Sequence, residues 1–224
     1  SIVAAWLARH SPVTLYTVGT EGSYDIRAGR EGAEFLGLPW KGIVVQEDEL
    51  LDAVRHIIRL TGTVNPIIIS FEIPLFFVSK YADEKVLFGG QGADELFAGY
   101  ARYVDMEEPQ RMEEMDRDMA KLMDETLAHE TAIAGSFGKE VRYPYLHPHV
   151  IDMVRRMPME EKMSGEVRKA VLREVARMME LGDLAEKKKT AAQYGSGSMR
   201  TMKAAAKSRG TTVRSLVLEL PQEV

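Results

Sequence analysis

The sequence contains no cysteine among its 224 residues, so disulfides and thiolate metal sites are excluded. It also lacks a basic excess, because its formal net charge is −5 at pH 7, whereas a general nucleic-acid binder needs a basic surface that neutralises phosphates. No uninterrupted apolar run approaches the roughly 20 residues that span a bilayer. We therefore expect a cytoplasmic protein that does not enter the membrane, and we disfavour nucleic acid as a partner.

Short apolar strands and helical patterns alternate over the first 100 residues. Helical spacing is found at 2–10, 25–38 and 47–62, and buried strands are predicted at 13–19, 42–46 and 85–90. In the second helix we predict Asp25 as the N-cap and Gly37 as the C-terminal stop. Such alternation with short connections predicts a parallel sheet covered by helices, which binds ligands at the carboxyl ends of its strands.

Residues 65–82 fit two interpretations. Their β-branched side chains favour a strand, whereas the length of the segment and its polar positions favour a buried helix that is bent at Pro74. We prefer the helix.

The composition changes near residue 101, where a charged and methionine-rich helical pattern begins. Three- and four-residue spacing favours a stripe that faces the core over a ligand-binding stripe for Met112, Met115, Met119 and Met123. There is no internal repeat and no low-complexity linker. The sequence predicts an α/β core at 1–100 and a helical C-terminal part of the same domain at 101–224.

The stretch "VLFGGQGADELFAGY" (86–100) joins three glycines to two adjacent carboxylates. Glycines let backbone N–H groups approach a ligand closely, and a helix that starts near Ala93 would direct its positive end at an anion. Asp94 and Glu95 in that first turn have a structural explanation as helix caps. Beside phosphates, a carboxylate would instead serve as a Mg²⁺ ligand, since this ion takes one or two carboxylates and completes its shell with phosphate and water oxygens.

This stretch resembles the S-G-E/Q-G-A/S-D-E-L-F-G-G-Y signature of the asparagine synthetase C-terminal domain, an ATP-pyrophosphatase fold shared with β-lactam synthetase. Four more segments match that family in order: "TVGTEGSYDIRAGREGAEFLG", "EVRYPYL", "KAVLRE" and "KTAAQYGSG". The resemblance implies an α/β fold with a doubly wound parallel sheet, of the adenine nucleotide α-hydrolase-like kind, and a helical C-terminal half. It also implies that the pyrophosphate-binding loop ends at or just before Ser1.

The resemblance implies an amide ligase that uses ATP and Mg²⁺. A carboxylate attacks the α-phosphate of ATP, pyrophosphate leaves on magnesium, and ammonia then displaces AMP. Val18 and Gly19 are expected beside the adenine through their backbone, and Gly89 and Gly90 beside the α-phosphate and ribose. The residues implied to contact the nucleotide are Ser1, Val18, Gly19, Gly89, Gly90 and Gln91.

Three charged residues receive roles by the same resemblance. Asp94 is expected to bind magnesium, and Glu95 to act as a base or to orient its neighbours. Lys189 matches the lysine that neutralises the pentacovalent phosphate, a role that suits a compact point charge. In composition alone, Lys189 belongs to the run "EKKK" and would be a solvated charge, but its fixed spacing to "GSG" favours the catalytic role.

The sequence differs from the family motifs in the segment that would bind the acceptor carboxylate. Aspartate-specific members carry D-x-T-T-x-R-A where this chain has "NPIIISFEI", so the carboxylate substrate stays open between aspartate and another acid. Without a cysteine nucleophile, ammonia would arrive free or from a separate glutaminase. Two alternatives remain: the same scaffold could adenylate another nucleophile, such as a nucleic-acid base, or the protein could bind nucleotide as a regulator without turnover. The sequence leaves a homodimer open.

Overall fold

The computed structural model describes residues 2–182 and 195–220. The described α-helices are α1 Ile2–Leu7, α2 Tyr24–Leu36, α3 Glu47–Thr61, α4 Pro66–Tyr81, α5 Ala93–Leu96, α6 Glu108–Lys121, α7 Leu127–Ser136, α8 Pro148–Arg155, α9 Met159–Lys162, α10 Ala170–Met178, α11 Ser198–Ser208 and α12 Val213–Glu219. The strands are β1 Leu15–Gly19, β2 Trp40–Val44, β3 Val86–Phe88, β4 Glu140–Arg142, β5 Met163–Ser164 and β6 Val167–Arg168. Short 3₁₀ turns lie at Ala101–Tyr103 and Pro144–Leu146, and a π turn at Leu122–Thr126 follows α6.

The described strands form three two-stranded sheets, so the fold is mixed α/β with helix predominating. β1 and β2 are parallel, with Leu15 opposite Trp40 and Gly19 opposite Val44, and α2 connects them. β3 pairs with β4, and β5 pairs with β6 in an antiparallel hairpin. The predicted alternation of strand and helix is confirmed. A doubly wound sheet, with helices on both faces of several parallel strands, stays a prediction.

The described chain forms two compact units that interleave along the sequence. One contains β1 and β2 and comprises residues 7–85, 129–140 and 195–220, and we name it the sheet unit. The other contains the glycine-rich stretch and comprises residues 2–6, 86–128 and 141–182, and we name it the motif unit. The predicted division at residue 100 stays a prediction.

The core of the sheet unit is built largely by α3 and α4. A capping box between Gln46 and Glu49 starts α3, and Gly62 ends it in the left-handed conformation with φ 72°. α4 begins where the Asn65 side chain accepts a hydrogen bond from the Ile67 backbone at 3.0 Å. No single described helix has the length and apolarity to cross a bilayer, and α3 and α4 meet the criterion only as a pair bent by 104°.

The helix predicted for residues 65–82 is confirmed, with Pro74 inside it. Its β-branched residues do not make it a strand because α4 is buried on several sides. Ile69 and Phe77 are fully buried in the sheet-unit core, and so is the polar Ser70. Burial of apolar surface outweighs the modest differences in intrinsic propensity between helix and strand.

One predicted cap is wrong. The N-cap of α2 is Ser23, with extended backbone at φ −62° and ψ 154°, while Asp25 lies in the first helical turn. The reason is the turn before the helix, in which the Ser23 N–H donates to the Thr20 carbonyl at 3.0 Å. The predicted stop at Gly37 is confirmed by its φ of 63°.

The methionine stripe faces the core only in part. Met115 is 7% exposed and packs in a cluster of the motif unit, whereas Met112 is 52% and Met123 is 47% exposed. The prediction is therefore wrong for those two. The wider π turn after Lys121 changes the helical register, so that Leu122 rather than Met123 is buried.

Candidate functional site

In the sheet unit, the carboxyl end of β1 is joined to a segment far along the chain. The Thr20 N–H donates to the Ser196 carbonyl at 2.8 Å, across a separation of 176 residues. On the other side, the Val45 N–H donates to the Gly19 carbonyl at 2.9 Å. Ser196 is fully buried. Two of the five segments singled out in the sequence, represented by "TVGTEGSYD" and "GSG" (195–197), therefore meet at the end of a parallel strand.

Glycine is required by packing at three positions of this junction. A Cβ on Gly19 would lie 2.2 Å from Ser23 Oγ, and one on Gly195 would lie 2.1 Å from Asp25 Oδ1. A Cβ on Gly197 would lie 2.2 Å from Thr20 Oγ1, and Gly197 also has a φ of 82°. Such approaches are far shorter than van der Waals contact. We name this surface the β1-end patch, formed by Gly19, Thr20, Ser23, Asp25 and residues 195–198.

The β1-end patch contains a buried hydroxyl and a partly buried carboxylate. Ser23 Oγ is buried and makes no hydrogen bond within the described ranges 2–182 and 195–220. Burial raises the pKa of Asp25 from 3.8 to about 6. Arg200 donates from Nη2 to Thr20 Oγ1 at 3.3 Å and brings a cation to the edge. From the sequence, Asp25 was predicted only as a helix cap. Its position in a segment that matches the family was the available signal for a further role.

Val18, predicted to contact adenine, is the penultimate residue of β1 and lies beside this patch. Its side chain is 5% exposed and packs in the sheet-unit core. Only a main-chain contact would therefore suit Val18, as the sequence analysis expects. The nucleotide role of Val18 and Gly19 stays a prediction.

In the motif unit, the glycine-rich turn connects β3 to α5. The Gly89 N–H donates to the Arg142 carbonyl at 2.9 Å, and a Cβ on Gly89 would lie 2.9 Å from the Tyr143 ring. Gly92 has a φ of 87°, and a Cβ there would lie 2.3 Å from Leu146. Gly90 differs, since no atom lies within 4 Å of its Cβ position. Packing thus explains Gly89 and Gly92, and leaves Gly90 as exposed backbone with open space beside it.

Asp94 forms an ion pair with Lys169, with 3.0 Å between Oδ1 and Nζ. Both side chains are mostly buried, at 17% and 24% exposure. Lys169 has a φ of 55°, a conformation that non-glycine residues seldom adopt. Next to the pair, Gly99 leaves no room for a side chain, because its Cβ would lie 2.1 Å from Asp94 Oδ1. The fold therefore holds Lys169 on this carboxylate.

The sequence missed this pairing. The structure places the Lys169 ammonium on the acidic motif. The available signal was "KAVLRE", which begins at Lys169 and matches the family.

Glu95 is 7% exposed and accepts a hydrogen bond of 2.6 Å from the Tyr100 hydroxyl. Burial, followed by the charge of Glu95, raises the pKa of Tyr100. The phenol therefore stays a donor at neutral pH. Sequence reasoning did not identify Tyr100, although the aromatic ends the quoted motif. A carboxylate that is buried and held by a phenol is suited to orienting its neighbours.

The donor set fits a magnesium ion that is shared with phosphates. No group of three or more histidine, aspartate or glutamate side chains forms a metal site in residues 2–182 and 195–220. The described part of the chain therefore offers no protein-only cage. Asp94 and Glu95 are carboxylates of the kind of which Mg²⁺ takes one or two beside phosphate, and the assignment of Asp94 to magnesium stays a prediction. His147 and His149 are exposed.

The remaining predicted residues are placed as follows. Gln91 is partly buried in the glycine turn. Ser1 and Lys189 lie outside the described residues. The described candidates fall into two groups, with Val18 and Gly19 in the sheet unit and residues 89–95 in the motif unit. Their assignments to nucleotide, metal and catalysis stay predictions.

Comparison with known proteins gives consistent matches. The sequence model of the asparagine synthase family matches residues 1–114 and 105–217. A protein of Methanocaldococcus jannaschii named "Putative asparagine synthetase 1", glutamine-hydrolysing, is 30% identical over 94% of this chain and 46% of its own length. Asparagine synthetase B of Escherichia coli, also glutamine-hydrolysing, is 30% identical over 76% of this chain and 31% of its own length. The chain thus spans less than half the length of these relatives.

Proposed function

Since this chain belongs to the asparagine synthase family, we propose that it carries the synthetase activity of an ATP-dependent amide ligase. A substrate carboxylate attacks the α-phosphate of ATP, which gives an acyl adenylate and pyrophosphate. Ammonia then attacks the acyl carbon, and AMP leaves as the amide forms and a proton is released. The observation that carries the proposal is the open backbone at Gly90 directly ahead of Asp94 and Glu95.

Within each unit, the residues proposed for the nucleotide would serve it through main chain. Val18 and Gly19 end a parallel strand, where ligands of open α/β sheets bind, and their role is to contact the adenine. Gly90 and Gln91, with Gly89 behind them, would border the α-phosphate and ribose. This scaffold is the doubly wound, ATP-pyrophosphatase type that the resemblance implies.

The charged residues would neutralise and orient the phosphates. Asp94, with Glu95 beside it, would hold Mg²⁺ together with the nucleotide, and the bound ion would withdraw charge from the leaving pyrophosphate. Glu95 would orient this region, since Tyr100 fixes its Oε1 at 2.6 Å. Lys189 would neutralise the charge that develops on the α-phosphate.

The acceptor is a small carboxylic acid, and this chain would recognise it by other residues than the aspartate-specific enzymes use. The segment "NPIIISFEI" forms the N-cap and first half of α4 and contains no arginine, and its Ile69 and Ile73 are fully buried in the core. Recognition of a second carboxylate by this segment is therefore unsupported. The 224 residues contain no cysteine that could hydrolyse glutamine, so the source of ammonia would lie outside them.

The test is ATP–pyrophosphate exchange by the full-length protein across a panel of carboxylic acids, aspartate included. We expect exchange that depends on one acid and on Mg²⁺. Measurable ATP binding without exchange for any acid would instead support the regulatory alternative.

Paired variants test the assigned residues in that assay. Asp94→Asn should lower the exchange rate by about 100-fold or more and make that rate respond to added Mg²⁺. Lys169→Met is the matched control, because it breaks the same ion pair and keeps the carboxylate. Equal losses in the two variants would show that Asp94 acts only through the ion pair. Lys189→Ala should also lose about 100-fold, with Lys187→Ala as its matched control.

A further inference from the structure

The motif unit contains a cavity of about 520 Å³ that is open to solvent, and the residues that line it come after the glycine turn in the sequence. α6, the π turn after it, and α8 and α9 supply its lining. Five methionines form the apolar wall: Met112, Met115, Met119, Met123 and Met159. Methionine side chains are unbranched and polarisable, so they adapt to apolar ligands of different shape. The volume lies within the range of small-molecule sites, about 300–1,000 Å³.

A buried lysine lies in the same cavity. Lys162 is 9% exposed and lines the cavity, and its ammonium makes no ion pair or hydrogen bond with any residue of 2–182 or 195–220. Burial lowers the pKa of Lys162, and the charge of Asp116 opposes that effect. An amine removed from water without a partner is destabilising, and an anionic group in the cavity would remove this cost.

The other polar groups make the polar part of the cavity net positive. Arg155 and Asp116 are exposed lining residues, so two cations face one carboxylate. This charge favours an anion over a cation or a neutral molecule. A flat protein surface would not reach the side chain of Lys162, a residue that is nine-tenths buried, whereas the end of a flexible chain would.

We propose that this cavity binds a carboxylic acid with an unbranched apolar chain, its carboxylate on Lys162 and its chain against the five methionines. The site does not depend on the ligase activity proposed above. It adds a ligand-binding site to the helical part of the chain.

The experiment is a titration of the full-length protein with sodium decanoate below its critical micelle concentration, followed by the ¹³C methyl resonances of methionine. Each cavity methionine is assigned by its Met→Leu variant. We expect shifts at these methyls, and a Kd for decanoate raised at least about 10-fold in Lys162→Met. Decanol should bind wild type and Lys162→Met equally, and Lys121→Met, a change at an exposed lysine outside the lining, should bind decanoate like wild type.

Three results would overturn the proposal: no methyl shift with decanoate, the same decanoate Kd in wild type and Lys162→Met, or concentration-dependent dimerisation that covers these methyls while decanoate has no effect. If Lys162→Met does not fold, substitutions of the exposed Met123 provide a second pair of variants. Met123→Glu should weaken decanoate binding by charge repulsion, and Met123→Gln should do so much less. Equal binding by those two variants would also contradict the proposal.

Discussion

The two glycine-rich regions differ in what their glycines are for. In the β1-end patch, a side chain on Gly19, Gly195 or Gly197 would lie 2.1–2.2 Å from a polar atom of the protein itself. In the motif turn, the space beside Gly90 is empty to at least 4 Å. The first region uses glycine to bring two distant segments together, whereas the second combines packed glycines at 89 and 92 with open main chain at Gly90. A glycine motif alone does not distinguish these uses, whereas the position that a Cβ would occupy does.

Gly197→Ala should break the β1-end patch and have the largest effect on stability. The change combines the left-handed φ of 82° with a clash at Thr20 Oγ1, and we expect it to lower the free energy of unfolding by about 3 kcal/mol. Urea unfolding followed by circular dichroism measures this. Gly210→Ala is the matched control, since Gly210 has a φ of 67° but open space, and it should cost only about 1 kcal/mol. Equal losses would show that backbone strain, not packing, requires glycine at 197.

Gly90→Ala should have little effect on stability and should instead weaken the binding of ATP. Because no atom is near the new methyl group, the free energy of unfolding should change by less than about 0.5 kcal/mol. If the turn borders the phosphates, the Kd for ATP should rise about 10-fold, which corresponds to about 1.4 kcal/mol. Calorimetric titration with ATP and Mg²⁺ measures the binding. An unchanged Kd would remove Gly90 from the nucleotide site.

Asp25→Asn should produce the smallest change, visible in the pH dependence. Burial raises the pKa of Asp25 in the folded protein to about 6, above its ordinary 3.8, so the folded state binds the proton more tightly than the unfolded state. The stability linked to this proton is fully present below about pH 4 and is lost as the pH rises through about 6. Asn cannot ionise, so we expect the variant to gain about 1 kcal/mol at pH 7.5 relative to wild type, and nothing at pH 4. Chemical unfolding at the two pH values measures it, and equal gains at both would contradict the assignment.

Local chemistry made part of the fold predictable. The capping box at Gln46 and the glycine after α3 lie within the helix they define, and length and proline position were enough to favour a helix for α4. The cap of α2 was misplaced by two residues because the preceding turn, closed by Ser23 and Thr20, is set by the junction with Ser196. The rule of methionine spacing failed at Met123 because a π turn has no clear sequence signature.

The candidate site was predictable in residue type and only partly in geometry. The motif marked Asp94 and Glu95 through their order in the sequence. The partners Lys169 and Tyr100 had to be found in the structure, since Lys169 lies 75 residues after Asp94 and its left-handed backbone is determined by tertiary packing. The empty space at Gly90 is likewise a property of neighbours that a motif does not list.

The hydrogen bond between the Thr20 amide and the Ser196 carbonyl also bears on how the protein is made. Its two ends are 176 residues apart, and a ribosome adds roughly 5–20 residues per second. The end of β1 therefore emerges about 10–35 seconds before its partner exists. During that interval the strand end must be tolerated without the contact that later covers it, so the β1-end patch is among the last parts of the sheet unit to be completed.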